Sequence, residues 1–129
     1  MKRSLILAAV GLTLAAPQVI AGSGDATAGE VTAVSVLPGA GRTHIVIDVR
    51  GSVDVRDFML DNPARLVIDF EGAQLNAPGS LYDGEARGGI VNIRYAQYES
   101  DIVRVVIELE SIRGYQLEKV DEQVRVSFG

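Results

Sequence analysis

From Glu30 onward, apolar side chains recur at every second position. "VTAVSV", "THIVIDVR", "RLVIDF", "IVNIRYA", "VRVVIEL" and "QVRVSF" are short, rich in valine and isoleucine, and polar in the alternate slots. "VDVRDFML" and "YQLEKV" repeat the pattern more weakly. A period of two sends neighbouring side chains to opposite faces of an extended strand, whereas an amphipathic helix needs a period of roughly 3.6. The runs are punctuated by glycine, asparagine, aspartate and proline, the residues of turns. Eight such strands in about one hundred residues, with no amphipathic helical stretch, predict an all-β domain, an antiparallel sandwich or barrel.

The strands also repeat as a block. Advancing by sixty residues carries Val31 onto Val91, Val46 onto Val106, Ile47 onto Ile107, Asp48 onto Glu108 and Val49 onto Leu109. With two residues deleted, "RLVIDF" falls on "QVRVSF" and Phe70 on Phe128. One unit of about forty residues used twice predicts a sandwich of two pseudo-symmetric four-stranded sheets. The connection between the halves is expected in "EGAQLNAPGSLYDGEARGG", residues 71–89, with its five glycines and one proline.

The start of the chain has a different character. Lys2 and Arg3 precede "SLILAAVGLTLAA", an uncharged apolar run too short to span a bilayer, and Pro17 and Val19-Ile20-Ala21 follow. This is the pattern of a secretory signal peptide cut between Ala21 and Gly22. Residues 1–21 are therefore expected to be the signal peptide, 22–29 a flexible lead-in and 30–129 the folded domain. Removing the leader leaves 108 residues, enough for one core. It also moves the formal charge from -5 to -7, because Lys2 and Arg3 leave with it. So acidic a domain is not drawn to nucleic acid or anionic lipid by its overall field. The absence of cysteine rules out a disulfide framework. The mature chain is thus expected to be exported and soluble, with no membrane span. It closes directly after its last predicted strand, as a piece of a longer polypeptide does.

Alternation assigns each strand an outward face. With Ile45, Ile47 and Val49 inside, His44, Val46 and Asp48 point out; with Leu66, Ile68 and Phe70 inside, Arg65, Val67 and Asp69 do. "VRVVIEL" adds Arg104, Val106 and Glu108. Three strands share the order base, valine, acid. Either this is cross-strand charge pairing around a valine stripe, or it is a shallow face suited to an extended polymer. Catalysis has little to work with: His44 is the one histidine, no G-x-S-x-G elbow is present, and Gly39-Ala40-Gly41 is a hairpin loop with no helix after it. No metal or cofactor is expected. Among Tyr82, Tyr95, Tyr98 and Tyr115, the pair Tyr95 and Tyr98 flanks a turn and is the candidate for stacking on sugar rings, with core or rim packing as the alternative.

"DFMLDNPARLVIDFEG" followed by "IVNIRYAQYESDIVRVVIELE" resembles the AMIN domain. That exported module lies upstream of the catalytic domain in bacterial N-acetylmuramoyl-L-alanine amidases and in the N-terminal region of type IV pilus secretins of the PilQ type. The resemblance covers residues 31–129. It implies a β-sandwich of two symmetric four-stranded sheets, a periplasmic location, and a non-catalytic role in holding an envelope protein to peptidoglycan. The family's motif positions fall on Asp61, Asn62, Pro63, Arg65 and Asp69, and on Arg94, Gln97, Asp101 and Arg104. Asp61, Asn62 and Pro63 are expected to serve the turn. Arg65, Arg94, Gln97, Arg104 and Asp69 are the candidates for peptidoglycan binding, since a guanidinium offers a planar fork of donors to the carboxylates of stem peptides. The alternative is a protein-interaction module that docks on pilus secretin, amidase or divisome partners through strand edges or the valine-striped face, without touching glycan.

Overall fold

Alternation decides which side of each strand is buried. The computed structural model describes residues 28–39, 41–77 and 88–128. The segment read as a signal peptide, most of the lead-in and the middle of the glycine-rich connection lie outside the described residues. Nine strands follow one another: β1 (Gly29–Gly39), β2 (Arg42–Arg50), β3 (Asp54–Leu60), β4 (Arg65–Glu71), β5 (Ala73–Leu75), β6 (Ile90–Glu99), β7 (Ile102–Leu109), β8 (Tyr115–Val120) and β9 (Gln123–Phe128). They build a five-stranded sheet in the order β5-β1-β2-β9-β8 and a four-stranded sheet in the order β3-β4-β7-β6. No helix occurs among the described residues.

Between the sheets lies one core. Val31, Ile45, Ile47, Val124, Val126 and Phe128 enter it from the larger sheet, and Leu66, Ile68, Phe70, Ile90, Val103, Val105 and Ile107 from the smaller, all essentially without solvent exposure. Each contributes about 1.5–3 kcal/mol of burial if a valine, leucine, isoleucine or phenylalanine is fully removed from water. With no cysteine in the chain, this apolar layer and the backbone ladders hold the fold.

The repeat is real in the register, but the halves interleave. Each sheet takes one hairpin from each half: β1-β2 and β8-β9 in the larger, β3-β4 and β6-β7 in the smaller. The central pairings coincide when the halves are exchanged. Ile47 pairs with Val124, Ile45 with Val126 and Thr43 with Phe128; their counterparts are Ile107 with Leu66, Val105 with Ile68 and Val103 with Phe70. The two deleted residues fall in a turn, since β3 and β4 are joined by Asp61–Ala64 and β8 and β9 by Asp121 and Glu122 alone.

Four expectations are corrected. Among the described residues the strands number nine rather than eight, because the stretch read as a plain connection contains β5, which pairs in parallel with β1 from Gly29↔Ala73 to Val31↔Leu75. Three residues are too few to display a period. The larger sheet is therefore five-stranded. Val31 corresponds to Ile90 and not to Val91. Val31 pairs with Val49 and Ile90 with Leu109, each just before a bulge, and both are sealed in the core while Val91 is exposed. Gly29, assigned by sequence to the lead-in, already belongs to β1. A Cβ there would overlap Val53 Cγ2 and come within 2.7 Å of the Gly72 carbonyl oxygen, so the β1-β5 junction closes only around glycine.

Candidate functional site

On the outer face of the four-stranded sheet, the register sets side chains in rows. One row runs Arg56, Asp69, Arg104, Ala96; the next Phe58, Val67, Val106, Arg94; the third Leu60, Arg65, Glu108, Asn92. The shared order base, valine, acid on two antiparallel neighbours therefore opposes Arg65 to Glu108, Val67 to Val106 and Asp69 to Arg104. Opposite charges sit across the ladder with valines between them. The face is not simply wet. Val67 and Asp69 point outward yet are 3% and 8% exposed, because longer side chains lie over them.

Arg104 is the centre of that cover. Its Nε donates to Asp69 Oδ1 at 2.8 Å and its Nη2 to Oδ2 at 2.9 Å, the two-pronged geometry that suits guanidinium and carboxylate. The Tyr98 ring lies 3.7 Å from the guanidinium carbon and the Phe58 ring 5.9 Å from it, within cation–π range. Chiefly through the hydrogen bond to Asp69, with partial burial opposing it, the Arg104 pKa is raised above its ordinary value. This arginine carries its charge throughout the working pH range. Arg94 is more open: its Nη2 meets Glu108 Oε2 at 2.9 Å, with 59% of the side chain exposed. Arg94, Ala96, Tyr98, Arg104 and Val106, with parts of Tyr95 and Gln97, line a shallow concavity of about 390 Å³.

Gln97 and Arg65 have structural partners. Gln97 Oε1 accepts from the Leu75 amide at 2.8 Å, and its Nε2 reaches the carbonyls of Ala73, Glu99 and Ile102 at 3.1, 2.9 and 3.2 Å. It stitches β6, at the edge of one sheet, to β5, at the edge of the other. The Asp101 carbonyl assists by accepting from the amides of Gly72 and Ala73 at 2.7 and 3.0 Å. Arg65 Nη1 donates to the carbonyls of Pro63 at 2.7 Å and Asp61 at 3.3 Å, holding the turn in which Asp61 Oδ1 accepts from the Asn62 amide at 2.8 Å. Asn62 has a φ of 56° and its peptide bond to Pro63 is cis.

Tyr95 and Tyr98 part company, and core packing, the alternative to stacking on sugar, holds for the first. Tyr95, opposite Val105, packs against the core, while Tyr98 is 53% exposed on the outer face. Tyr82 lies outside the described residues. Tyr115 packs on Phe128, with ring centres 6.2 Å apart, and its hydroxyl donates to Asp57 Oδ2. Sequence reading missed both the Tyr98–Arg104 contact and the contribution of Phe58. The signal available for Tyr98 was its place beside the turn that joins "IVNIRYAQYE" to "IVRVVIEL".

The five-stranded sheet has a corresponding outer face, differently furnished. His44 stands opposite Ser127, Val46 opposite Arg125 and Asp48 opposite Gln123. Asp48 Oδ1 accepts from Gln123 Nε2 at 3.0 Å. Among the described residues, no three histidine, cysteine, aspartate or glutamate side chains are grouped to hold a metal ion. Among the same residues there is no helix long and apolar enough to cross a membrane.

The sequence is similar to those of known proteins. The family model of the AMIN domain matches residues 33–128. The N-acetylmuramoyl-L-alanine amidase AmiC of Escherichia coli O6:H1 (strain CFT073) is 30% identical over 88 residues, which is 66% of this chain and 21% of that amidase. The match thus spans a small part of the relative, of the size of one domain. With nearly every described strand inside the matched range and the sandwich in place, the chain belongs to the AMIN domain family.

Proposed function

We propose that this domain is a non-catalytic module that binds peptidoglycan and thereby localises an exported cell-envelope protein, one associated with an amidase or a pilus secretin, in the periplasm. The observation that carries the reading is the outer face of the four-stranded sheet. There a largely exposed guanidinium, Arg94, stands beside an exposed ring, Tyr98, held over a second guanidinium, Arg104. Such a face offers charge and a flat apolar surface together, which suits a polymer carrying both carboxylates and sugar rings. Membership of a family with an amidase relative supports the same direction, since AmiC is named for the N-acetylmuramoyl-L-alanine linkage.

The test is sedimentation of the domain with purified sacculi at low and high salt, alongside turbidity. The domain should pellet with the wall and be released by salt, because exposed charge contacts are screened, while turbidity stays constant. Failure to pellet at any salt concentration would sink the reading and favour docking on protein partners.

A further inference from the structure

We infer that binding is confined to one of the two pseudo-equivalent outer faces, that of the four-stranded sheet, and that the group recognised there is a short, carboxylate-bearing peptide stem rather than bare glycan. This rests on the peptidoglycan reading above and makes it specific.

The difference between the faces comes from a bulge. Along β1 the pairing with β2 runs unbroken from Leu37↔His44 through Pro38↔Thr43 to Gly39↔Arg42. In β6 the equivalent stretch pairs Ala96 with Arg104 and Gln97 with Val103, then skips to Glu99 with Ile102. Tyr98 is the extra residue. A bulge re-aims the side chain it inserts, and here it lays the Tyr98 ring on the Arg104 guanidinium. The duplicated face has no inserted residue at this position, and it carries His44 and Ser127 where this one carries Arg104 and Asp69. It also has Ser35, opposite Val46, in the place of Arg94, opposite Val106.

Roles within the favoured face divide by commitment. Arg104 spends its paired donors on a nearly buried carboxylate, so it positions Tyr98 rather than gripping a ligand. Arg94 meets Glu108 at 2.9 Å and is largely exposed; such a pair exchanges partners at little cost. With Tyr98 inserted as the extra residue, the regular part of the strand from Arg94 runs three steps to Gln97, on the order of 10 Å. A single sugar ring is shorter than that span, whereas an extended peptide of about three residues matches it. A carboxylate at one end would replace Glu108 on Arg94. Small alkyl side chains would run over Ala96 and Val106 to the ring, in keeping with a stem that begins at an alanine, as the name of the amidase relative specifies.

Three probes test this: sacculi, a soluble disaccharide-tetrapeptide, and glycan strands from which the stems have been removed. Arg94→Gln should weaken binding to sacculi and disaccharide-tetrapeptide by about tenfold or more, the value of a charge-assisted hydrogen bond. Tyr98→Ala should weaken it several-fold. Arg125→Gln, which removes an arginine from the opposite face, should leave it unchanged. Unaltered melting temperatures would show that each variant is folded. The disaccharide-tetrapeptide should displace the domain from sacculi and the stripped glycan should not. If wild type ignores sacculi, the peptidoglycan reading itself falls and this inference with it. If wild type binds but stripped glycan competes equally, or Arg125→Gln weakens binding as much as Arg94→Gln, only the inference is overturned.

Discussion

Arg104 and Asp69 face each other across the β4–β7 ladder and share two hydrogen bonds, of 2.8 and 2.9 Å, under the ring of Tyr98. The same ladder position in the other sheet holds His44 and Ser127. The duplicated fold therefore carries a charged, ring-covered pair on one side only. That asymmetry comes from the four side chains at this ladder position together with the bulge in β6 that lays Tyr98 over one of the two pairs.

Removing one partner of this pair should cost more than its surface position suggests. The Asp69 side chain is 11% exposed, so Arg104→Ala strands a carboxylate with few routes to water. Expected is a loss of about 1–3 kcal/mol in urea melts. Adding Asp69→Asn should recover part of it, giving a coupling of about 0.5–3 kcal/mol in the double-mutant cycle. Strict additivity would show that the two charges are screened from one another.

Gln97 is expected to matter through the seam it closes. Gln97→Ala removes the acceptor for the Leu75 amide and the donors that serve Ala73, Glu99 and Ile102. Stability should fall by about 1–3 kcal/mol, and the Leu75 amide should exchange its hydrogen faster. Gln97→Glu should be worse than alanine, because it sets a charged acceptor against carbonyl oxygens. Equal effects of the two substitutions would contradict the bonding pattern.

Alkaline pH supplies a separate check. Burial first, and then the hydrogen bond to Asp57, push the Tyr115 phenol up to about 12, while its unfolded value is near 10. Below pH ~10 both states keep the proton and nothing is lost. Above it the unfolded chain releases its proton first, so the contribution of Tyr115 to stability declines as pH rises from ~10 towards 12. Tyr115→Phe should lack this segment of the decline. Parallel pH–stability curves for variant and wild type above pH ~10 would refute it.

Much of the fold could be read from the strands whose alternation is unambiguous. Ile45, Ile47, Leu66, Ile68, Phe70, Val103, Val105 and Ile107 are buried as their parity predicts, and β8 falls where "YQLEKV" was read. What parity does not reveal is where a strand slips by one. The bulges after Ile90 and after Gln97 moved the repeat from Val91 to Ile90 and turned Tyr98 outward, away from Tyr95. Side-chain length was hidden too: the outward positions Val67 and Asp69 are covered because Phe58, Arg104 and Tyr98 reach across from neighbouring strands. The candidate arginines lie close in the register, but sequence could not show that Arg65 turns back onto its own loop while Arg94 stays open.

That division between the arginines gives the last prediction. Arg65 donates to the carbonyls of Asp61 and Pro63, so Arg65→Ala should loosen the β3–β4 turn. The expected cost is about 1 kcal/mol, as for a single exposed hydrogen-bonding group, with sedimentation on sacculi unchanged. Ile68→Ala supplies the scale for a core defect. Ile68 is fully buried between the sheets and pairs with Val105, and truncating it should cost about 2–5 kcal/mol. The two variants separate fold from binding. If Arg65→Ala keeps its melting temperature within error but no longer pellets with sacculi, then Arg65 grips ligand, and the turn is a means of presenting it. If it melts slightly lower and pellets as wild type does, the arginine belongs to the turn, and the binding surface narrows to the strip between Arg94 and Tyr98.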